Sequence, residues 1–361
     1  MKERFRQDMA WWHTWVGLVC GWLIFAIFFT GATAVFRGAG QHWLTPELHL
    51  PAAETRLDAR GMVEAAERLL RAQGEDAPMW WMIRLPERGE AYFEAAWRRS
   101  GGWQSRMLDA ATGEALDTPP RESRAMNMLY WLHFRLNAGD VGLWLVGAMA
   151  VAMLVLLVSG IVVHKKIFTD FFTFRPDKAP ARNWLDAHNV SSVMTLPFAL
   201  MISYTGLVIF CFDWMPAGVK VVGREAMRDE ARPRLEIADA PGEPAPTLPL
   251  WSFVEQARAG LTEGQTLRFI QVFNPGGTQT QVRVIHNDDA VLWGDSDDKI
   301  FNGATGELLR QDQETEARAA SAAQGVMRAM HEIRFAGPVL RWLYFLMSAG
   351  YCLMIATGLV L

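Results

Sequence analysis

The chain has 361 residues, 51% of them hydrophobic, with 16 Trp, 20 Phe and a formal net charge of −4. That balance excludes a basic nucleic-acid binder, and no nucleic-acid partner is expected. Mean hydropathy lies only just above zero, so the apolar residues must be concentrated if lipid is to be the solvent.

They are concentrated in four runs. The N-terminus carries Lys2, Arg4 and Arg6, and the first run follows at 16–36. Ala32-Thr33-Ala34 offers a small-x-small cleavage site, but the stretch is longer than a signal-peptide core, so an uncleaved span is expected. The other runs lie at 141–163, 190–212 and 339–361. At about 1.5 Å per residue, each is long enough to cross a hydrocarbon core of about 30 Å. Only the last holds a charge, Arg341, close enough to an end to snorkel.

Lys2, Arg4 and Arg6, with Lys165, Lys166, Arg175, Lys178 and Arg182 after the second run, predict a cytoplasmic N-terminus and a cytoplasmic middle loop. The expected order is a cytoplasmic N-terminus and first span (1–36), an outer domain (37–135) and a second span (136–163). A cytoplasmic loop (164–187), a third span (188–212), a second outer domain (213–330) and a fourth span (331–361) complete it. The second outer segment has 18 Asp and Glu against 12 Lys and Arg, but long translocated domains do not set orientation by charge. Helical stretches are expected at 58–72 and 250–259, and strands at 79–85, 91–97, 266–273 and 280–286. Cys20, Cys211 and Cys352 all fall in the apolar runs, so no disulfide is expected outside them. The absence of CxxC argues against an iron–sulfur cluster or a structural zinc.

The chain also repeats itself. Aligned without gaps from His133 and from His331, 28 positions share eight identities, ending where Ser159-Gly160 meets Thr357-Gly358. Aligned from His13 and from His188, 19 positions share four, ending where Thr30-Gly31 meets Thr205-Gly206. DAATGEAL at 109–116 answers NGATGELL at 302–309, each with a Gly suited to a tight turn. The fold expected is therefore a four-helix transmembrane bundle made of two repeats, each enclosing a small α+β domain.

Eight histidines are present. His13, His164 and His188 sit at the expected cytoplasmic ends of spans, and His133 and His331 on the outer side. A single interfacial histidine is more often a polar anchor. Four at repeat-equivalent positions point instead to a function, because ionisable groups in a bilayer are costly. Two imidazoles facing each other across a bundle can hold a b-type haem. Repeat symmetry pairs His133 with His331 near the outer face and His13 with His188 near the inner face, with His164 competing for the inner site. Gly17 and Ser192, one turn after His13 and His188, would let a flat macrocycle approach; Gly17 and Gly21 also form a GxxxG, read equally as close helix packing. His42, His49 and His286 lack repeat partners and are read as surface residues.

The segments WWHTWVGLVCGW, LHFRL, SGIVVHKKIFTDFFTFRP, NWLDAHNV, LPFALMISYTGL and MHEIRFAG resemble the PepSY-associated transmembrane family. Within it they are similar to the bacterial inner-membrane iron–siderophore reductases of the ferrioxamine type. The resemblance implies two PepSY-like periplasmic domains and two haem b groups. It also implies reduction of ferric siderophore in the periplasm, with ferrous iron released. Carried onto matching positions, the iron ligands would come from His13, His133, His164, His188 and His331; Ala199 stands where family members often have a His. No catalytic side chain is singled out.

No GxGxxG follows a strand, so the electron must come from a membrane quinol or a cytoplasmic reductase. Lys165, Lys166, Phe168, Phe171, Phe172 and Phe174 would dock such a donor or, more simply, anchor the loop to lipid headgroups. Trp80, Trp81, Trp97, Trp103, Trp251 and Trp293 would line a chelate site or fill a core. The competing readings are a non-enzymatic membrane protein whose outer domains bind a periplasmic partner, and a quinol-linked cytochrome b subunit with another acceptor.

Overall fold

The computed structural model describes residues 3–50, 55–73, 79–86, 90–99, 102–117, 125–164, 179–210, 213, 240–261, 263–287, 296–312, 319–333 and 335–361. In chain order its elements are α1 (Glu3–Ala34), α2 (Arg37–Leu44), a 3-10 turn (Pro46–Leu48), α3 (Ala59–Arg71), β1 (Trp80–Arg84), β2 (Tyr92–Arg99) and β3 (Gly102–Asp109). Then come α4 (Ala125–Arg135), α5 (Gly139–Val163), α6 (Pro180–Ile209), α7 (Leu250–Ala257) and β4 (Thr266–Phe273). β5 (Gln281–Asn287), β6 (Ser296–Asn302), β7 (Leu308–Asp312), α8 (Ala319–Glu332) and α9 (Pro338–Val360) complete the chain. There are two compact units. Met1–Gly40, Ala125–Arg224 and Ala323–Leu361 form one; Gln41–Arg124 and Glu225–Ala322 form the other.

Among the described residues, α1, α5, α6 and α9 are long and apolar enough to cross a membrane. Their outward faces carry Val19, Trp22, Val141, Val339 and Leu346, all exposed, a surface that lipid rather than water can cover. α1 packs against α5 and α9, and α6 against α9 and α5. Exchanging α1 with α6 and α5 with α9 maps these contacts onto themselves. Ile24, Met153, Leu157, Ala199, Tyr351, Met354 and Ile355 fill the middle. Gly21 is buried, and a Cβ there would lie 2.9 Å from Leu359 Cδ2, so this glycine of the GxxxG serves helix packing. Cys20 and Cys352 are free thiols.

The α/β unit is one antiparallel sheet ordered β3-β2-β1-β4-β5-β6-β7. The sequence reading of two separate small domains is corrected here: β1 pairs with β4, Met82 opposite Gln271, which joins both chain segments in one sheet. The physical reason is that each segment alone leaves the edge strand β1 or β4 unpaired, an edge that needs covering. α3 and α7 cover one face, burying Val63, Ala66 and Leu70 with Leu250, Phe253 and Val254 over Ile83, Phe93, Ile270, Val282 and Phe301. Asp58 caps α3, its Oδ1 accepting from Gly61 N at 2.8 Å.

The two octets fold alike. Asp109 O accepts from Gly113 N at 2.8 Å, and Asn302 O from Gly306 N at 2.9 Å. Gly113 and Gly306 take φ of +75° and +80°, where an L side chain is strained.

Three boundaries differ from expectation. The helix of the third span begins at Pro180, not 188, because polar residues that hydropathy does not register extend it. His133, assigned from sequence to the end of the first outer segment, and His331, assigned to the start of the fourth span, lie instead on α4 and α8; Ala125–Arg135 lies wholly in the unit of the spans. β3, β6 and β7 have no counterpart among the expected strands because SDDKIFN and LLRQD carry too many polar residues for an alternating pattern. The loop residues Lys165, Lys166, Phe168, Phe171, Phe172 and Phe174, and also Arg175, Lys178, Cys211 and Trp293, lie outside the described residues.

Candidate functional site: two histidine pairs

Each of four histidines meets a neighbouring helix at the same local pattern. It consists of a backbone carbonyl, a hydroxyl three residues later and a glycine directly after the hydroxyl. His13 on α1 meets α5, its Nδ1 lying 3.1 Å from Leu156 O and 3.0 Å from Ser159 Oγ. His133 on α4 meets α1, with Nδ1 2.8 Å from Ile27 O. His188 on α6 meets α9, with Nδ1 2.9 Å from Met354 O and 3.4 Å from Thr357 Oγ1. His331 on α8 meets α6, with Nδ1 3.1 Å from Thr205 Oγ1 and bonded to the carbonyl of Ile202.

The glycine gives each ring its room. A Cβ added at Gly31 or Gly358 would lie 2.7 Å from Cε1 of His133 or His188. At Gly206 and Gly160 the corresponding distances, to His331 and His13, are 3.0 and 3.2 Å.

This arrangement fixes the tautomer. A carbonyl oxygen only accepts, and the hydroxyl protons are directed along their own helices: Ser159 Oγ donates to Leu156 O at 3.1 Å and Thr357 Oγ1 to Met354 O at 2.8 Å. Nδ1 must therefore be the donor, which leaves the Nε2 lone pair free as a ligand. A neutral imidazole with a free ring nitrogen is the form that binds metal.

The pairing is His13 with His188, ring centres 6.4 Å apart, and His133 with His331, 6.1 Å apart. A metal bound by two imidazoles in trans, at about 2 Å per bond and with about 1.1 Å from nitrogen to ring centre, separates the centres by about 6.3 Å. Among the described residues no three His, Cys, Asp or Glu side chains converge. Each pair thus supplies two ligands, the number left to a protein by a macrocycle that brings four of its own. The residues present fit a bis-histidine haem at both positions.

His164 stands apart. It is the C-cap of α5, its N–H bonded to Gly160 O at 3.0 Å, and among the described residues no ring contact joins it to His13 or His188. A Cβ added at Gly17 would meet Leu156 at an ordinary 3.7 Å and no histidine within 4 Å, so the glycines beside the rings are others than the one singled out in sequence. The dipeptides Ser159-Gly160, Thr357-Gly358, Thr30-Gly31 and Thr205-Gly206 are visible in the sequence as repeat markers. Their common spacing from an apolar residue three positions earlier is the signal that could have identified them. Ala199 is fully buried in the core of the bundle. Trp81, Trp97 and Trp251 are buried in the sheet–helix core, while Trp80 meets Trp103 edge-on at 4.6 Å and stacks on Phe273 at 5.2 Å. His286 is buried rather than a surface residue.

Left-handed residues follow both helices of the His133–His331 pair. Leu136 and Asn137, with φ of 50° and 52°, follow the helix of His133, and Ile333, with φ of 49°, follows that of His331. Such left-handed residues cost on the order of 1–2 kcal/mol each, a cost that packing around the turns into α5 and α9 must offset.

Fold and site together define a multi-span membrane protein with paired, hydrogen-bonded histidines in its helical unit. The chain belongs to the family described as the PepSY-associated TM region, whose model matches residues 10–361. It is also similar to the uncharacterized protein PA4219 of Pseudomonas aeruginosa, with 24% identity over 264 residues, 66% of this chain and 63% of that protein. The match thus spans just under two thirds of that relative's length.

Proposed function

We propose that this protein is a di-haem b oxidoreductase of a bacterial inner membrane, built from two repeats, that delivers electrons to ferric siderophore in the periplasm and releases ferrous iron. The observation that supports this reading is the spacing of both histidine pairs, ring centres 6.4 and 6.1 Å apart, each ring held through Nδ1 by a backbone carbonyl. Bound there, haem would supply reversible one-electron transfer.

The residues account for the rest. His13 and His188 would hold the inner group, and His133 and His331 the outer. Fourteen residues separate His13 from Ile27, and likewise His188 from Ile202. At about 1.5 Å each, the sites are about 21 Å apart along the bundle, or about two thirds of a hydrocarbon core. Phe28 and Tyr351, ring centres 4.5 Å apart, belong to the helical turns beside Ile27 and Met354 and pack in the core between them. The N-terminus would be cytoplasmic, both segments of the α/β unit periplasmic, and the donor a membrane quinol or a cytoplasmic reductase. Each ferric ion takes one electron. Ferric siderophores are far more stable than ferrous ones, so reduction suffices for release.

The test starts with an absorbance spectrum of the purified protein. A Soret band and split visible bands on reduction are expected, and their absence sinks the reading. His133→Ala and His331→Ala should lose one and the same haem, His13→Ala and His188→Ala the other, and His164→Ala neither. Reduced protein should then be oxidised by ferric siderophores in stopped flow. Inertness towards them would leave a cytochrome with a different acceptor.

A further inference from the structure

Two histidines outside those pairs are also brought together. His42, in the last turn of α2, and His49, directly after the 3-10 turn, have ring centres 4.7 Å apart, and both are exposed. His49 Nε2 lies 2.8 Å from the backbone carbonyl of His42. That carbonyl can only accept, so Nε2 carries the proton and the Nδ1 lone pair of His49 is free. A hydrogen bond of this kind is what usually orients a metal-binding imidazole.

The stretch between them is anchored. Leu48 is fully buried with Tyr92 and Met107. Thr45 is buried and accepts from Gln41 Nε2 at 2.5 Å, while His49 N–H donates to Pro46 O at 2.9 Å. The two rings therefore stand on a fixed turn, and little ordering remains to be done on binding.

The geometry differs from that of the haem-type pairs. With the same bond lengths, two imidazoles on one metal at about 90–110° have centres about 4.4–5.2 Å apart. We propose that His42 and His49 form a second, cis-coordinating site for a first-row divalent cation, completed by water. Two neutral imidazoles favour Cu²⁺ over Ni²⁺ and Zn²⁺, and these over Fe²⁺. The proposal stands independently of haem.

The experiment uses the full chain in detergent with any affinity tag removed, titrated with Cu²⁺, Ni²⁺ and Zn²⁺. It is run in the native chain and again in His133→Ala/His331→Ala, so that the outer pair cannot contribute. Expected are one bound ion per chain and a Cu²⁺ electron paramagnetic resonance spectrum with two equatorial imidazole nitrogens. Loss of second-shell support alone weakens metal sites about 10–100-fold, so His42→Ala or His49→Ala should weaken binding at least about tenfold. His42→Gln and His49→Gln, which keep the surface polar, should behave like the alanine variants, with Soret absorbance unchanged. Equal binding by native protein and His42→Ala/His49→Ala, or a spectrum showing a single nitrogen, overturns the proposal.

Discussion

If the histidine pairs hold haem as proposed, alanine at Gly31 or Gly358 should cost the protein a haem, and alanine at Gly160 should not. The added Cβ would sit 2.7 Å from the imidazole Cε1 in the first two cases, 3.0 Å at Gly206 and 3.2 Å at Gly160. Carbon atoms rest at about 3.5 Å or more, so the ring must retreat about 0.8 Å at Gly31 and Gly358 but only about 0.3 Å at Gly160. His133 Nδ1 is 2.8 Å from Ile27 O, and a retreat of about 0.8 Å carries it beyond hydrogen-bonding reach. Overpacking of this kind costs about 1–3 kcal/mol, equivalent to haem retention roughly 5- to 150-fold weaker. Haem per protein, and the rate of haem transfer to excess apomyoglobin, would be measured for all four variants. Gly21→Ala is the control, since its Cβ meets only the flexible end of Leu359. A set of variants that cannot be told apart, or one in which Gly160→Ala suffers most, would refute the argument.

Tyr351→Phe removes a hydroxyl that donates to Met153 Sδ at 2.7 Å but keeps the ring against Phe28. It should lower stability by no more than about 1 kcal/mol, whereas Tyr351→Ala opens a cavity worth about 3–5 kcal/mol; thermal unfolding in detergent distinguishes them. In the α/β unit, the buried Glu67 accepts from Leu250 N at 3.0 Å and Arg71 Nε at 2.9 Å, tying α3 to the start of α7. Glu67→Ala orphans that amide and should cost about 2 kcal/mol, with Glu67→Gln milder. Faster hydrogen exchange at the first turn of α7 is the expected signature, and unchanged exchange contradicts it.

The spans were legible because an unbroken apolar run of about twenty residues matches the thickness of a bilayer core and exceeds what a water-soluble helix buries. The proximity of His133 to His331 and of His13 to His188 was legible because the sequence aligns each with its partner, and helix contacts that map onto themselves when α1 exchanges with α6 and α5 with α9 bring aligned residues together. What escaped were the groups that hold the rings. Thr30 and Gly31 look like ordinary residues of a membrane helix, and which glycine faces a ring depends on helix rotation, which sequence spacing alone does not give. Gly17 lies one turn from His13 along α1, yet His13 leans on α5. The joined sheet escaped for a similar reason: pairing between β1 and β4 is a contact between distant segments, whereas local pattern reports only on strands themselves. His42 and His49 share no repeat partner, and only the 3-10 turn between them brings the rings together.

The four ring contacts also account for the lack of any need for a carboxylate beside the histidines. In water-exposed metal sites an Asp or Glu often orients the imidazole and raises its basicity. Within an apolar slab an extra carboxylate would have to be buried, at several kcal/mol even when paired. A helix offers a less costly acceptor. A Ser or Thr hydroxyl that donates to the carbonyl three residues earlier, as Thr205 Oγ1 does to Ile202 O at 3.2 Å, satisfies its own proton. Its lone pair and that carbonyl then both face a donor from the next helix, and a following glycine removes the Cβ that would keep the ring away. Every partner in this arrangement is neutral. The imidazole is therefore oriented by dipoles already present in the backbone, and the pair can be built in lipid without introducing a charge.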